Sequence, residues 1–549
     1  MTQTDNSAAV STGISPAARI AWIVLILATL YICYFHNLGA LGLVGPDEPR
    51  YAWIARDMAE TGDWVTPRLY GQPWFEKPVL YYWAAALSFK VFGVSEVAAR
   101  LPSAVAALLA TVALAWLAWR VRSADTARWL LLLLPTTVGM IGFSHAAATD
   151  MPFTAMLTIA MVSAARLLGV DPSASFISFT SSTSFTSFFF GVFLGLGALA
   201  KGPAAIVLSG GAILLWTAFT KRWRDALRCL HPIAIASFCL TALPWYILCA
   251  HRNPDFFHVF IIEHNFKRYL TPEFHHIQPL WFYIPIILVA VCPWTLLFIP
   301  AVRRFFGDKK ERQPEFAFRL FVLVWAVFPL VFFSISHSKL PGYVLPSVPP
   351  LMLLLVEPLS GSRKDKQRPM RWPGLICAGG LMGLATLFFA AGRLLAHNFP
   401  YRPSAGSILF FFAFVTGLAA ILVGFLAGFR LNAVALFATI FVLLFLVVQT
   451  DNALKQADAD FTAREAAAEA RKLWPDFSAN RAGIWQIKRS LAYQLNFYTH
   501  AELAEWTPPS AKPEWLFIDP ARMQEARARD FACADFSGHA AVVPCRKQR

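Results

Sequence analysis

The chain has 549 residues, of which 57% are hydrophobic and only 15% charged, with a mean hydropathy of +0.51. That balance excludes an ordinary water-soluble globule, whose surface carries far more charge. The net charge of +15 would suit nucleic acid, but the cations sit in alternate loops between apolar runs. That pattern orients a membrane protein, and no nucleic-acid partner is expected.

In chain order, a polar leader at 1–18 precedes about 13 apolar runs within a membrane body at 19–450. Each run, at roughly 20 residues, is long enough to cross hydrocarbon as a helix. The runs centre near Leu27, Leu109, Pro135, Leu157, Leu194, Leu208, Ile235, Ile287, Leu323, Leu351, Leu384, Val415 and Phe441. The third, fifth and tenth are short or broken by Gly and Pro, which is tolerated where neighbouring helices satisfy the freed backbone groups. The first is too long for a secretory signal and no small-residue cleavage site follows it, so it reads as a retained helix.

One set of loops carries Arg120, Arg122 and Arg128, then Lys221, Arg222, Arg224 and Arg228, and later Arg303, Arg304, Lys309, Lys310 and Arg312. The next basic loop holds Arg363, Lys364, Lys366, Arg368 and Arg371. These loops and the N-terminus are assigned to the cytoplasm. Two long loops, at 45–98 and 251–279, then face outward. The first interleaves Trp53, Trp64, Trp74, Tyr81 and Trp83 with polar residues, as helices lying in a membrane interface do. A Ser/Phe/Thr-rich stretch from Asp171 to Ser187 reads as a connector.

From 451 to 549 the composition changes. Residues 461–473 have helical spacing, while 514–519 and 540–544 read as short strands, giving a small outer α/β domain. Cys33, Cys229, Cys239, Cys249, Cys292 and Cys377 lie in or beside apolar runs and pack as small hydrophobes. Cys533 and Cys545 fall in the outer domain, where an oxidising compartment favours a bridge across a hairpin.

The residues able to do chemistry gather on one face. Asp47, Glu48, Arg50, Glu76, Lys77, Asp150, Glu263, His264, Arg268, His337, Lys339 and Tyr343 all map to outer loops or outer helix ends. Lys201 joins them if the fifth and sixth runs form a short hairpin. Charges at a bilayer edge cost solvation free energy and persist where they face a polar cavity or a charged ligand. One composite site for an anionic amphiphile accounts for them. Singly, each cation suits an ordinary ion pair or a snorkelling role equally well, and Asp150 suits a helix N-cap before Met151-Pro152. His275, His276 and His337 read as interfacial or structural.

The motifs Asp47-Glu48-Pro49-Arg50-Tyr51-Ala52, Gly62-Asp63-Trp64-Val65-Thr66-Pro67 and Phe75-Glu76-Lys77-Pro78 resemble the first outer loop of the aminoarabinose (4-amino-4-deoxy-L-arabinose) lipid A transferases. Thr149-Asp150, Ala200-Lys201-Gly202-Pro203, Glu263-His264-Asn265-Phe266-Lys267-Arg268 and Ser338-Lys339-Leu340-Pro341-Gly342-Tyr343 extend the likeness. These enzymes stand among the GT-C glycosyltransferases that use polyprenyl-phosphate sugars, related to the protein O-mannosyltransferases. The resemblance implies an all-α polytopic membrane fold with a C-terminal periplasmic α/β domain. It also implies an inverting transferase of the bacterial inner membrane, acting as a monomer. The donor would be an undecaprenyl-phosphate sugar, and the acceptor lipid A or another envelope molecule, among membrane lipids.

On that reading Arg50, Lys77, Arg268, Lys201, Lys339 and Tyr343 bind the lipid phosphate. Asp47 is the central carboxylate, with Glu48 and Asp150 in support. For a hydroxyl acceptor Asp47 serves as general base; for a phosphate acceptor it orients a substrate or stabilises oxocarbenium character. The resemblance further implies a divalent metal, with Glu76 and His264 as a carboxylate–imidazole pair suited to Zn²⁺. Two rivals stand beside this: a transferase for another sugar or acceptor, and a lipid-linked sugar flippase. Charges on one face and the lack of an internal repeat argue against transport.

Overall fold

The computed structural model describes residues 15–170, 179–267, 277–307, 313–360, 372–398, 403–429, 431–534 and 540–548. Nine helices among the described residues are long and apolar enough to cross a membrane, and two bent helix pairs raise that to eleven. The chain is thus a polytopic, predominantly helical membrane protein. The two remaining runs of the expected thirteen form weaker helices. One has 18 residues with Asp150 in its first turn and Arg166 in its last, and the other is only 17 residues long.

Ser15 caps the first helix, α1 (Pro16–Tyr34), by accepting from the Ala18 amide at 3.3 Å. The first outer loop then folds as α2 (Asp47–Thr61), a hairpin of β1 (Arg68–Leu69) and β2 (Gln72–Pro73), and α3 (Leu80–Phe92). Gly62, at φ 75°, ends α2 in the left-handed region that its lack of a Cβ permits. There follow α4 (Glu96–Val121), the bent pair α5 (Ala124–Leu133) and α6 (Val138–Ser144), and α7 (Asp150–Leu167). Pro135 lies at the 62° bend of that pair. Next, α8 (Phe179–Lys201) and α9 (Ala204–Thr220) form the short hairpin anticipated around Gly202-Pro203.

The connector reading of 171–187 is corrected from Phe179 onward, where the backbone is already α8, and from Thr183 the helix is apolar enough to count as a span. Residues 171–178 lie outside the described residues. Beyond α9 come Pro232–Arg252, a pair bent by 104° at Cys292-Pro293, and the helices Glu315–Ile335, Pro341–Ser360, Trp372–His397, Gly406–Gly428 and Asn432–Gln456. The last runs past the expected boundary at 450 because Asp451, buried at its end, takes a 2.9 Å contact from His36 Nδ1.

Outward apolar surface is extensive. Ile20, Ile23, Val24 and Leu27 on α1, and Phe411, Phe414, Leu418 and Phe425 on the helix Gly406–Gly428, are all exposed. Such a belt suits lipid, and lipid gives helices no apolar reason to associate. Close backbone approach through small residues does that work instead. On α8, a Cβ at Gly191 would lie 2.1 Å from the Ala234 carbonyl oxygen, and one at Gly195 2.9 Å from the Thr241 Cβ.

The C-terminal region is a small α/β unit. Helices Arg464–Leu473 and Arg489–Thr499 pack on a five-stranded sheet of order β4-β3-β5-β7-β6. The strands are β3 (Ala482–Trp485), β4 (Ala504–Glu505), β5 (Trp515–Ile518), β6 (Phe531–Cys533) and β7 (Val543–Lys547). The central β3–β5 pair is parallel and β5–β7–β6 antiparallel. Cys533 and Cys545 face each other across β6 and β7 and form the expected disulfide.

This unit is docked on the first outer loop. The Tyr498 hydroxyl donates to Glu96 Oε1 at 3.0 Å and accepts from the Leu43 amide at 2.8 Å. Arg464 reaches Asp458 at 2.7 Å and Glu96 at 3.5 Å, and His500 Nε2 lies 3.1 Å from Glu60. Burial and the neighbouring Glu96 push the Tyr498 phenol above its ordinary range, so it stays neutral.

Gly191→Val is expected to lower stability by about 1–3 kcal/mol through overpacking against the backbone of the helix Pro232–Arg252. Gly210→Ala, where the added methyl meets open space, should not lower it. Thermal unfolding of the two detergent-purified variants checks the difference.

Candidate active site

The site begins with a charge inside an apolar helix. Arg100 lies in the second turn of α4 and its side chain is 4% exposed. It donates to the carbonyls of Leu38 at 2.8 Å, Leu41 at 2.6 Å and Gly42 at 2.7 Å. Its Nε and Nη2 also hold Glu48 at 3.1 and 2.7 Å. Glu48 in turn accepts the Val44 amide at 2.7 Å and the Ala147 amide at 2.6 Å. Both Glu48 oxygens are therefore saturated in a buried setting. Glu48 staples the α1–α2 link to α4 and to the segment before α7. Sequence reasoning missed Arg100, although an arginine near the start of an apolar helix was a usable signal.

With that link fixed, α2 presents Asp47 and Arg50 one turn apart. Arg50 donates through Nε to the Pro46 carbonyl at 2.9 Å, through Nη1 to Glu76 Oε2 at 3.1 Å, and through Nη2 to Asp47 Oδ1. Burial works against its charge, but the carboxylates of Glu76 and Asp47 outweigh burial and hold its pKa above the ordinary range. Arg50 thereby ties Asp47 and Glu76 to the start of α2. Asp47 keeps 52% of its side chain exposed. Lys77 Nζ stands 3.8 Å from Glu76 Oε1. Beneath this cluster, burial and then Glu76 push the phenols of Tyr51 and Tyr82 well above their usual range.

A second cluster joins α7, α8 and the turn Pro341–Ser347. Lys201 Nζ pairs with Asp150 Oδ1 at 2.5 Å, and lies 5.4 Å from the Phe153 ring and 5.2 Å from the Tyr343 ring. A Cβ at Gly342 would fall 2.6 Å from Asp150 Oδ1, so only glycine lets the turn approach this closely. The N-cap reading of Asp150 fails, because α7 opens on Asp150 itself and Thr149 precedes it as the cap residue. Lys339 donates to the carbonyls of Ser336 at 2.6 Å and Gln278 at 2.9 Å, and burial lowers its pKa. It thereby cross-links two outer segments. Ala147 and Leu199, close in sequence to Asp150 and Lys201, pack in the same apolar core as Tyr51, Tyr82, Trp245 and Phe256. Both charge clusters border that core.

Beside the first cluster opens a cavity of about 480 Å³ lined by Trp74, Glu76, Arg252, Asn253, Asp255 and His264, among others. His264 sits on a π-helical segment, His258–Lys267. A carboxylate and an imidazole thus open on one cavity, which fits two ligands of a divalent cation. Among the described residues no group of three such donors gathers. Arg268, His275 and His276 lie outside the described residues.

Residues 20–260 match the family model described as dolichyl-phosphate-mannose-protein mannosyltransferase. The overall fold is that of a solved membrane protein, ArnT from Cupriavidus metallidurans bound to undecaprenyl phosphate. That structure superimposes with a TM-score of 0.76 over 96% of this chain and 98% of its own, at 23% identity. Among curated relatives, the undecaprenyl phosphate-alpha-4-amino-4-deoxy-L-arabinose arabinosyl transferase of Erwinia tasmaniensis is 30% identical over 417 residues, 74% of this chain and 72% of the relative. The enzyme of the same name from Edwardsiella ictaluri is 32% identical over 364 residues. That match spans 66% of this chain and 64% of the relative, slightly under two thirds of its length. The chain belongs to the undecaprenyl phosphate-aminoarabinose arabinosyl transferase family.

Arg100→Leu strands the buried Glu48 charge and is expected to cost about 3–5 kcal/mol. Adding Glu48→Leu should recover part of that loss, because both charges are then gone. Unfolding midpoints of the single and double variants test whether Glu48 serves the fold.

Proposed function

We propose that the chain moves 4-amino-4-deoxy-L-arabinose from undecaprenyl phosphate to a lipid A phosphate at the periplasmic face of the bacterial inner membrane. One observation carries the site assignment. Asp47 is a half-exposed carboxylate at the start of α2, oriented by the buried Arg50, which also holds Glu76 beside Lys77 on the cavity wall. The curated relatives carry the choice of sugar and carrier. The alternation of basic loops supports the periplasmic orientation.

In this reading an acceptor phosphate oxygen attacks C1 of the sugar, and the bond from C1 to the carrier phosphate oxygen breaks on the opposite face. Undecaprenyl phosphate leaves with that electron pair, and the configuration at C1 inverts. Lys77 neutralises the departing phosphate as a point charge. Lys201, held by Asp150 and flanked by Phe153 and Tyr343, is a second cation for the carrier's anionic head. An anionic acceptor needs no base, so Asp47 faces the oxocarbenium-like sugar or its amino group, with Arg50 fixing its rotamer.

Glu76 and His264 would hold a divalent cation. When bound, the ion adds positive charge beside the leaving phosphate. Metal analysis of purified wild-type protein and of Glu76→Gln and His264→Ala checks this: bound metal should fall in both variants.

Asp47→Asn keeps volume but removes charge, so transfer should be nearly abolished in folded protein. Lys77→Ala should weaken undecaprenyl-phosphate binding by about 1.5–3 kcal/mol, the value of a charge-assisted hydrogen bond. Wild-type turnover in the first, or unchanged lipid affinity in the second, would remove that residue from its role. For the substrates, mass spectrometry of lipid A from cells with and without the gene should show aminoarabinose only when the gene is present.

A further inference from the structure

Arg50 organises the first cluster, yet part of what holds it comes from the far end of the sequence. Its N–H edges go to Pro46, Glu76 and Asp47, which leaves its flat faces for other groups. Aromatic rings suit those faces, through dispersion and the ring quadrupole. Trp74 of the first outer loop lies 5.5 Å from the guanidinium carbon, and Tyr493 lies 5.4 Å from it. Tyr493 belongs to the helix Arg489–Thr499 of the C-terminal unit.

Tyr493 is itself held firmly. Its ring stacks on Tyr70 at 6.4 Å and an interplanar angle of 23°. Its phenol oxygen accepts from Arg489 Nε and Nη2 at 3.0 and 2.9 Å. The same helix is anchored to the first loop by Tyr498 on Glu96 and His500 on Glu60. The ring's position is thus set by a docked domain.

We propose that Tyr493 is a positioning residue for sugar transfer: its ring holds the Arg50 guanidinium so that Asp47 and Glu76 keep their orientation. The C-terminal unit thereby completes the active site of the membrane body. This rests on the transferase reading above. It places the effect in the ring and in turnover: the docked helix and the stack on Tyr70 fix the ring, the Arg489 bonds to the hydroxyl add little to that, and lipid binding is unaffected.

The test uses the full-length chain in proteoliposomes with an undecaprenyl-phosphate sugar donor. Tyr493→Phe keeps the ring, Arg489→Ala removes the guanidinium that bonds the hydroxyl and lies 5.3 Å from the ring centroid, and Tyr493→Leu removes the ring. The Phe and Ala variants should turn over within about twofold of wild type, while the Leu variant should lose about tenfold or more in kcat, with KM for the donor little changed. Binding of undecaprenyl phosphate alone should be the same in all four proteins. Wild-type kcat in the Leu variant, or a change confined to KM, would overturn the proposal. So would a Phe or Ala variant as impaired as Leu, and that arm still reads out if the Leu variant does not fold. No transfer by the wild-type chain with any donor would count against the transferase reading instead.

Discussion

The buried pair of Arg100 and Glu48 is the contact on which the rest of the site depends. An arginine inside an apolar helix is tolerated because three carbonyls and a carboxylate satisfy it. Those carbonyls belong to the link between α1 and α2, and the carboxylate is the second residue of α2. A single side chain therefore fixes where α2 begins. The direction of α2 sets Asp47 and Arg50, Arg50 sets Glu76, and Glu76 forms part of the cavity wall. The Ala147 amide on Glu48 extends the same control toward Asp150.

The charged residues of the outer face divide by how completely the protein satisfies them. Glu48 spends both oxygens on protein partners, while Arg50 and Lys339 tie neighbouring segments together. Asp47 keeps half its surface exposed, which leaves it available to a substrate in the proposed reaction. A carrier phosphate entering the first cluster would shift its charge balance toward negative. Lys77, a compact and flexible cation, is suited to follow that shift, whereas Arg50 is held by five partners that include two aromatic rings.

Much of the fold was legible in the sequence because hydrocarbon imposes a length and a composition on any helix that crosses it. The α8–α9 hairpin at Gly202-Pro203 and the Cys533–Cys545 bridge followed from local residue types. Two of the thirteen runs stand out less than the rest because α7 opens on Asp150 and α9 stops at 17 residues. The Phe-rich start of α8 was misread because serine and threonine suggested a connector, while its phenylalanines continue an apolar helix. In the site, residue type announced charge but not its partner. Nothing local distinguishes the saturated Glu48 from the half-exposed Asp47 beside it, since Arg100 is 52 positions away. Tyr493 was hidden for the same reason: its contact with Arg50 exists only once the C-terminal unit docks.

The central claim is that this chain by itself moves a sugar from a polyprenyl phosphate onto an anionic lipid. The most direct measurement incorporates purified protein into liposomes containing lipid A and undecaprenyl-phosphate aminoarabinose, and follows both lipids by mass spectrometry. The account predicts that lipid A gains the sugar while undecaprenyl phosphate appears in equal amount. Intact donor crossing the bilayer with lipid A unmodified would contradict it.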